Sequence, residues 1–115
     1  MSGHIAVPSL DETSTPASLS KPIVMGLLRE QLNFQGLIVT DDLEMGALKT
    51  LDAGEIGVRA IQAGNDLLLF CHAPDKAALA RDAIVAAVDS GVLPREQVAA
   101  SLERVRTVKR KYGII

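Results

Sequence analysis

A chain of 115 residues, 48% of them hydrophobic and 23% charged, has enough apolar material for one globular core and too little length for two domains, so residues 1–115 are read as one domain or part of one. Its net charge is −2, with acids and bases interspersed until a basic cluster near the C-terminus, which excludes the field of a nucleic-acid binder. The single cysteine excludes an internal disulfide and fits a reducing compartment, no apolar run reaches the ~18 residues of a membrane span, and the N-terminus has no signal-peptide pattern, so the expectation is a soluble, cytoplasmic protein with no membrane partner.

Residues 1–7 are a candidate strand, and Pro8 with the polar stretch 9–18 reads as a loop long enough to carry function. Ser20 can cap a helix whose first turn tolerates Pro22. Its apolar residues Ile23, Val24, Leu27, Leu28 and Leu32 recur at helical spacing until Asn33 and Gly36 end it. Residues 36–40 form a short apolar run rich in β-branched side chains, the pattern of a parallel strand covered on both faces, and it ends in Asp41-Asp42. Residues 46–51 are ambiguous. The spacing of Ile56, Val58, Ala60 and Ile61 predicts a helix over 53–63, with Gly64 where a C-terminal cap glycine belongs.

Residues 66–70 read as a second buried strand, with Cys71 at its end expected to be a small core hydrophobe rather than a reactive thiol. A helix follows over 75–90, closed by Gly91, with Lys76, Arg81 and Asp82 away from its apolar side. Pro94 opens a last helix running to about Tyr112. Its basic residues Arg104, Arg106, Lys109, Arg110 and Lys111 lie toward the negative end of the helix dipole, which accounts for the cluster without a binding partner. Strands alternating with helices through short turns imply an α/β fold of parallel βαβ units with right-handed crossovers. Three parallel strands alone would leave two apolar, unpaired edges, open to self-association or to a complementary piece.

Several segments carry a family pattern in order. Met1-Ser2-Gly3-His4-Ile5 with Pro8 and Leu10-Asp11, then Pro16-Ala17-Ser18-Leu19-Ser20 and Leu27-Leu28-Arg29, precede Phe34-Gln35-Gly36-Leu37-Ile38-Val39-Thr40-Asp41-Asp42-Leu43-Glu44-Met45. Ala63-Gly64-Asn65-Asp66-Leu67-Leu68-Leu69 and an ending through Lys111-Tyr112-Gly113 complete it. Together these resemble the bacterial β-N-acetylhexosaminidases of glycoside hydrolase family 3. The resemblance implies strands six to eight of a (β/α)8 TIM barrel with the first five absent: a fragment, a truncated reading frame or one piece of a split chain. It also implies hydrolysis of a terminal N-acetyl-β-glucosaminide without metal or cofactor, with peptidoglycan recycling as a role by family analogy. The Asp-Asp-Leu-Glu-Met loop favours this branch over the β-glucosidases, many of which carry a tryptophan in the nucleophile motif.

Barrel enzymes gather reacting groups at the C-terminal ends of strands, where Asp41 stands. Retaining glycoside hydrolysis needs a carboxylate nucleophile and an acid about 5–5.5 Å away. Residue parity leaves open which of Asp41 and Asp42 faces the sugar, and an Asp pair at a strand end also serves to order loops. The resemblance assigns the nucleophile to Asp41 and leaves Asp42 structural. It puts the histidine acid/base in the earlier half of the barrel, outside this sequence, so the isolated chain is expected to have no useful hydrolase activity. His4 is a candidate for orienting substrate or carboxylate and equally a satisfied structural histidine. Met45 offers an apolar surface to the sugar or its N-acetyl group, or fills a gap. His72 reads as a strand end. Two other classes compete. A noncatalytic, self-associating fragment needs only the open edges, whereas a phosphorelay receiver needs acidic residues and a lysine converging on Mg²⁺, and only one acidic cluster is present.

Overall fold

The computed structural model describes residues 1–115. Two parallel strands, β1 (Val39–Asp42) and β2 (Leu67–Leu69), pair Val39 with Leu67 and Asp42 with Leu69. Three steps on β1 match two on β2, so the ladder bulges beside the candidate carboxylates, and the Leu69 N–H donates to the Thr40 hydroxyl at 3.1 Å. On the other side of β1, Ser2 makes a parallel bridge to Thr40: its N–H donates to the Val39 carbonyl and its carbonyl accepts from the Asp41 N–H, both at 2.8 Å. The strand expected over 1–7 is thus a single bridge, because by Ala6 the chain pairs back antiparallel on Pro16. The result is an α/β fold in which the neighbours of β1 on both sides run parallel to it.

β1 starts three residues later than the apolar pattern suggests, for a reason that is not local. Arg29 Nη1 donates to the carbonyls of Phe34 (2.9 Å) and Gly36 (2.6 Å), and the Ile38 N–H donates to Asp66 Oδ2 at 2.9 Å. Backbone committed to side chains is withdrawn from the ladder. Asp66, whose side chain is fully buried, also accepts from Ser101 Oγ at 2.7 Å, from Arg104 Nε and Nη2 at 2.9 and 2.8 Å, and from Arg29 Nη2. One carboxylate therefore joins the opening helix, the approach to β1 and the last helix. Burial lowers the Arg29 guanidinium from its ordinary value, with Asp66 opposing.

The opening helix, Pro22–Gln31, winds as a π-helix, with the Leu32 N–H on the Leu27 carbonyl five residues back. Apolar spacing of three and four residues does not separate this winding from the expected α-helix. Val24 still packs on Ile38 and Ala63, with Leu28 beside them. The three α-helices fall within a residue of expectation, α1 (Ala53–Ala63), α2 (Pro74–Asp89) and α3 (Arg95–Lys111), while short 3-10 turns at Ala17–Leu19 and Gly46–Leu48 are not among the expected elements. Asp52 caps α1 by accepting from the Glu55 N–H at 2.9 Å, and Gly64 ends it at φ +114°, where a Cβ would stand 3.2 Å from Met25 Cε. A larger cluster of Leu19, Leu43, Leu48, Ile56 and Ala60, with Leu51, Leu68 and Phe70 against it, lies under the loop that follows β1.

Two further sequence expectations are corrected. β2 is not buried on both faces: Leu67 is 39% exposed and Leu68 and Leu69 are half-buried, because β2 is the outer strand of the sheet. Cys71 is exposed rather than a core residue, since it follows the end of β2 in the loop that leads to α2. Local desolvation and the carboxylates of Asp42, Glu44 and Asp41 push its thiol up, away from thiolate reactivity.

Candidate active site

Asp41, Asp42 and Glu44 leave the C-terminal end of β1 together and take different partners. Asp42 Oδ1 accepts from the backbone N–H groups of Glu44 (3.1 Å) and Cys71 (3.2 Å), and its Oδ2 lies 3.3 Å from His72 Nε2. Burial pushes this carboxyl up, but those donors and His72 outweigh it, and Asp42 sits below the ordinary carboxylate value. Glu44, its side chain only 5% exposed, accepts at Oε2 from the N–H groups of His72 (2.7 Å) and Ala73 (3.2 Å), and its Oε1 pairs with Lys76 Nζ at 3.3 Å. The His72 N–H is the main cause of its lowered pKa, opposed by burial and helped by Ala73 and Lys76. Both acids thus belong to the seam between the loop after β1 and the start of α2.

Asp41 differs. Its N–H is fixed by the Ser2 carbonyl, and its Oδ1 accepts only from the adjacent Asp42 N–H at 2.8 Å. Oδ2 takes no hydrogen bond from the protein, and the residue is half-buried at the strand end.

The imidazole of His4 is fully engaged: Nε2 donates to the Asp42 carbonyl at 2.8 Å, and Nδ1 lies 2.7 Å from Ser18 Oγ. A carbonyl can only accept, so Nε2 carries a proton, and in the neutral ring the Ser18 hydroxyl donates to Nδ1. His4 therefore reaches the backbone next to Asp41 and fixes it to the buried Ser18. Met45 is 45% exposed and lines a cavity of about 210 Å³ with Leu43, Glu44, Leu48, Phe70 and Lys76 among its walls. Neither Asp41 nor His4 lines this cavity or the two others in the chain, so the three candidates share one end of the sheet without converging on one pocket.

Sequence reasoning missed Glu44. The available signal was Ala73-Pro74 at the start of α2: a helix start without a capping side chain of its own must find its acceptor elsewhere. Asn65 was also missed. It is buried, donates to the carbonyls of Ser18 and Ala60 at 2.7 Å each, and accepts from Ser2 Oγ at 2.7 Å, tying the first segment and its loop to α1. In the loop, Asp11 accepts from Ser20 Oγ (2.6 Å) and from the Thr13 N–H and hydroxyl, and these bonds lower its pKa, Ser20 first.

The chain is similar to known proteins over most of its length. A β-hexosaminidase of Bordetella parapertussis is 34% identical over 119 residues, covering 98% of this chain and 29% of that protein. A β-hexosaminidase of Chromobacterium violaceum is 35% identical over 106 residues, covering 91% of this chain and 28% of the other. The solved glycoside hydrolase family 3 β-N-acetylglucosaminidase from Paenibacillus sp. str. FPU-7 superposes with a TM-score of 0.89 at 37% identity, over 93% of this chain and 20% of that one. The chain therefore spans less than a third of the length of these relatives. Residues 1–108 match the glycosyl hydrolase family 3 N-terminal domain, and the chain belongs to that family.

Proposed function

We propose that this chain contributes strands six to eight of the catalytic (β/α)8 barrel of a retaining β-N-acetylhexosaminidase, and that Asp41 is the nucleophile. One observation carries the reading. Of the three acids at the end of β1, Asp42 and Glu44 each accept two backbone N–H groups and have a basic side chain beside the second oxygen, while Asp41 accepts only the N–H of its neighbour and keeps Oδ2 without a protein partner. In the double displacement, the free oxygen attacks the anomeric carbon as an acid protonates the leaving oxygen. Water then hydrolyses the glycosyl ester, with the same acid acting as base. That acid belongs to parts of the barrel beyond these residues, as does the facing wall of the cleft. Because losing general acid catalysis costs about 10²–10⁴-fold, the chain alone has no useful turnover.

The test exchanges residues 1–108 for the matching segment of the Chromobacterium relative and follows hydrolysis of an aryl N-acetyl-β-glucosaminide. The expected result is activity that falls at least about 10³-fold with Asp41→Asn and a clear preference over the aryl β-glucoside. An active exchange enzyme indifferent to Asp41→Asn overturns the assignment.

A second reading rests on exposed apolar side chains, among them Met1 (78%), Ile5 (74%) and Leu32 (65%). A chain with this surface associates with itself or with a complementary barrel half. Light scattering that finds only monomer at high concentration argues against it.

A further inference from the structure

The Glu44 carboxylate crosses from the loop after β1 to the start of α2, where no local side chain caps the helix. It takes the two N–H groups that precede Pro74 and pairs with Lys76 in the first turn. It lies three residues after Asp41, and Asp42 between them is held on the Cys71 N–H of the same segment. The Asp42 N–H is in turn the donor to Asp41 Oδ1, so hydrogen bonds and the short stretches of backbone between them link the start of α2 to the candidate nucleophile.

We propose that Glu44 is a positioning residue: by capping α2 from the neighbouring loop, it sets the orientation of the Asp41 carboxylate. This rests on the reading of Asp41 as nucleophile for its catalytic meaning, but the coupling itself belongs to the 115-residue chain. A helix cap acting only on α2 would leave Asp41 untouched. A positioning residue moves both ends of that link. Glu44 also ties the loop that follows the strand end at Asp42 to the residues entering α2 and to Lys76 within it, which restricts the backbone next to Asp41.

The experiment uses the full chain, without turnover, so that its outcome is separate from that of the exchange enzyme. Amide exchange and the side-chain carboxyl ¹³C resonance of Asp41 are recorded at neutral pH for the wild type, Glu44→Gln and Lys76→Met. For Glu44→Gln we expect exchange at His72 and Ala73 to rise by about tenfold or more as the charged acceptor is lost. The Asp41 carboxyl resonance and the Asp42 amide should shift with it, while amides of the α1–α2 contact at Ala60 and Ala80 hold their rates. Lys76→Met keeps the carboxylate and removes its cation, and should shift the same Asp41 resonance in the same direction by less. Faster exchange at His72 and Ala73 with an unmoved Asp41 resonance overturns the proposal, leaving Glu44 a helix cap only. If Glu44→Gln does not fold, Lys76→Met decides by the same resonance. An active exchange enzyme indifferent to Asp41→Asn, with the coupling intact, would instead count against the nucleophile assignment alone.

Discussion

His4 and Asp42, 38 residues apart, are joined by a 2.8 Å hydrogen bond from the imidazole Nε2 to the backbone carbonyl. The other ring nitrogen meets Ser18, so one side chain closes the first segment, its loop and the end of β1 on each other. His4→Leu strips partners from a carbonyl and a buried hydroxyl, and a cost of about 1–3 kcal/mol follows. Urea unfolding should read it as a lower midpoint with an unchanged slope. A midpoint equal to wild type would mean that solvent replaces both bonds.

Asp66 predicts the largest single loss. Its side chain is buried beneath two guanidiniums, and Asp66→Ala leaves Arg29 and Arg104 without their carboxylate. Breaking such a buried pair costs about 3–5 kcal/mol, a large share of the stability of a domain this size. The control is Arg81→Ala: its ion pair with Asp82 is mostly exposed, and a change within about 0.5 kcal/mol is expected. Comparable losses in the two variants, read in one denaturation series, would contradict the network.

The same residue marks the limit of what the sequence tells. α1 is legible because the signals read for it, its own apolar spacing and Gly64, lie within or beside it, and the Asp52 cap that the structure adds is adjacent too. The start of β1 is not, because Arg29 and Asp66 that claim residues 34–38 come from other elements. The different surroundings of Asp41 and Asp42 are hidden for a similar reason. Parity treats them alike, and their partners differ in part through Cys71, which lies 29 residues beyond Asp42, and its neighbour His72. Cys71 itself looked like the last residue of an apolar run, and only the end of β2 at Leu69 puts it outside.

Acid should unfold the chain through its held carboxylates. Asp11, Asp42 and Glu44 all titrate below their ordinary values in the folded state. The unfolded chain then binds more protons in acid. Their contribution is complete above the ordinary carboxylate range, about pH 4–4.5, and is lost as pH falls through the lowered values. Thermal melts should show Tm falling below that range. Glu44→Gln should melt lower than wild type at neutral pH yet lose less on acidification. Parallel acid slopes for the two proteins would remove Glu44 from this account.

The contact between α1 and α2 depends on the absence of one methyl group. A Cβ at Gly57 would stand 2.7 Å from Ala80 Cβ and 3.2 Å from Ala80 Cα, so the obstacle is a methyl fixed directly to the helix backbone and not a movable side-chain end. Two effects oppose each other in Gly57→Ala. Alanine favours the helix by about 1 kcal/mol over glycine, while overpacking a tight contact costs about 1–3 kcal/mol. Since both helices must separate to admit the methyl, the second effect wins and the variant is destabilised. Ala80→Gly in the Gly57→Ala background removes the clashing Cβ and should restore part of the loss, giving a non-additive cycle with a favourable coupling. If the double variant is merely the sum of the two single changes, the helices already have room between them at this point, and the close approach does not govern their packing.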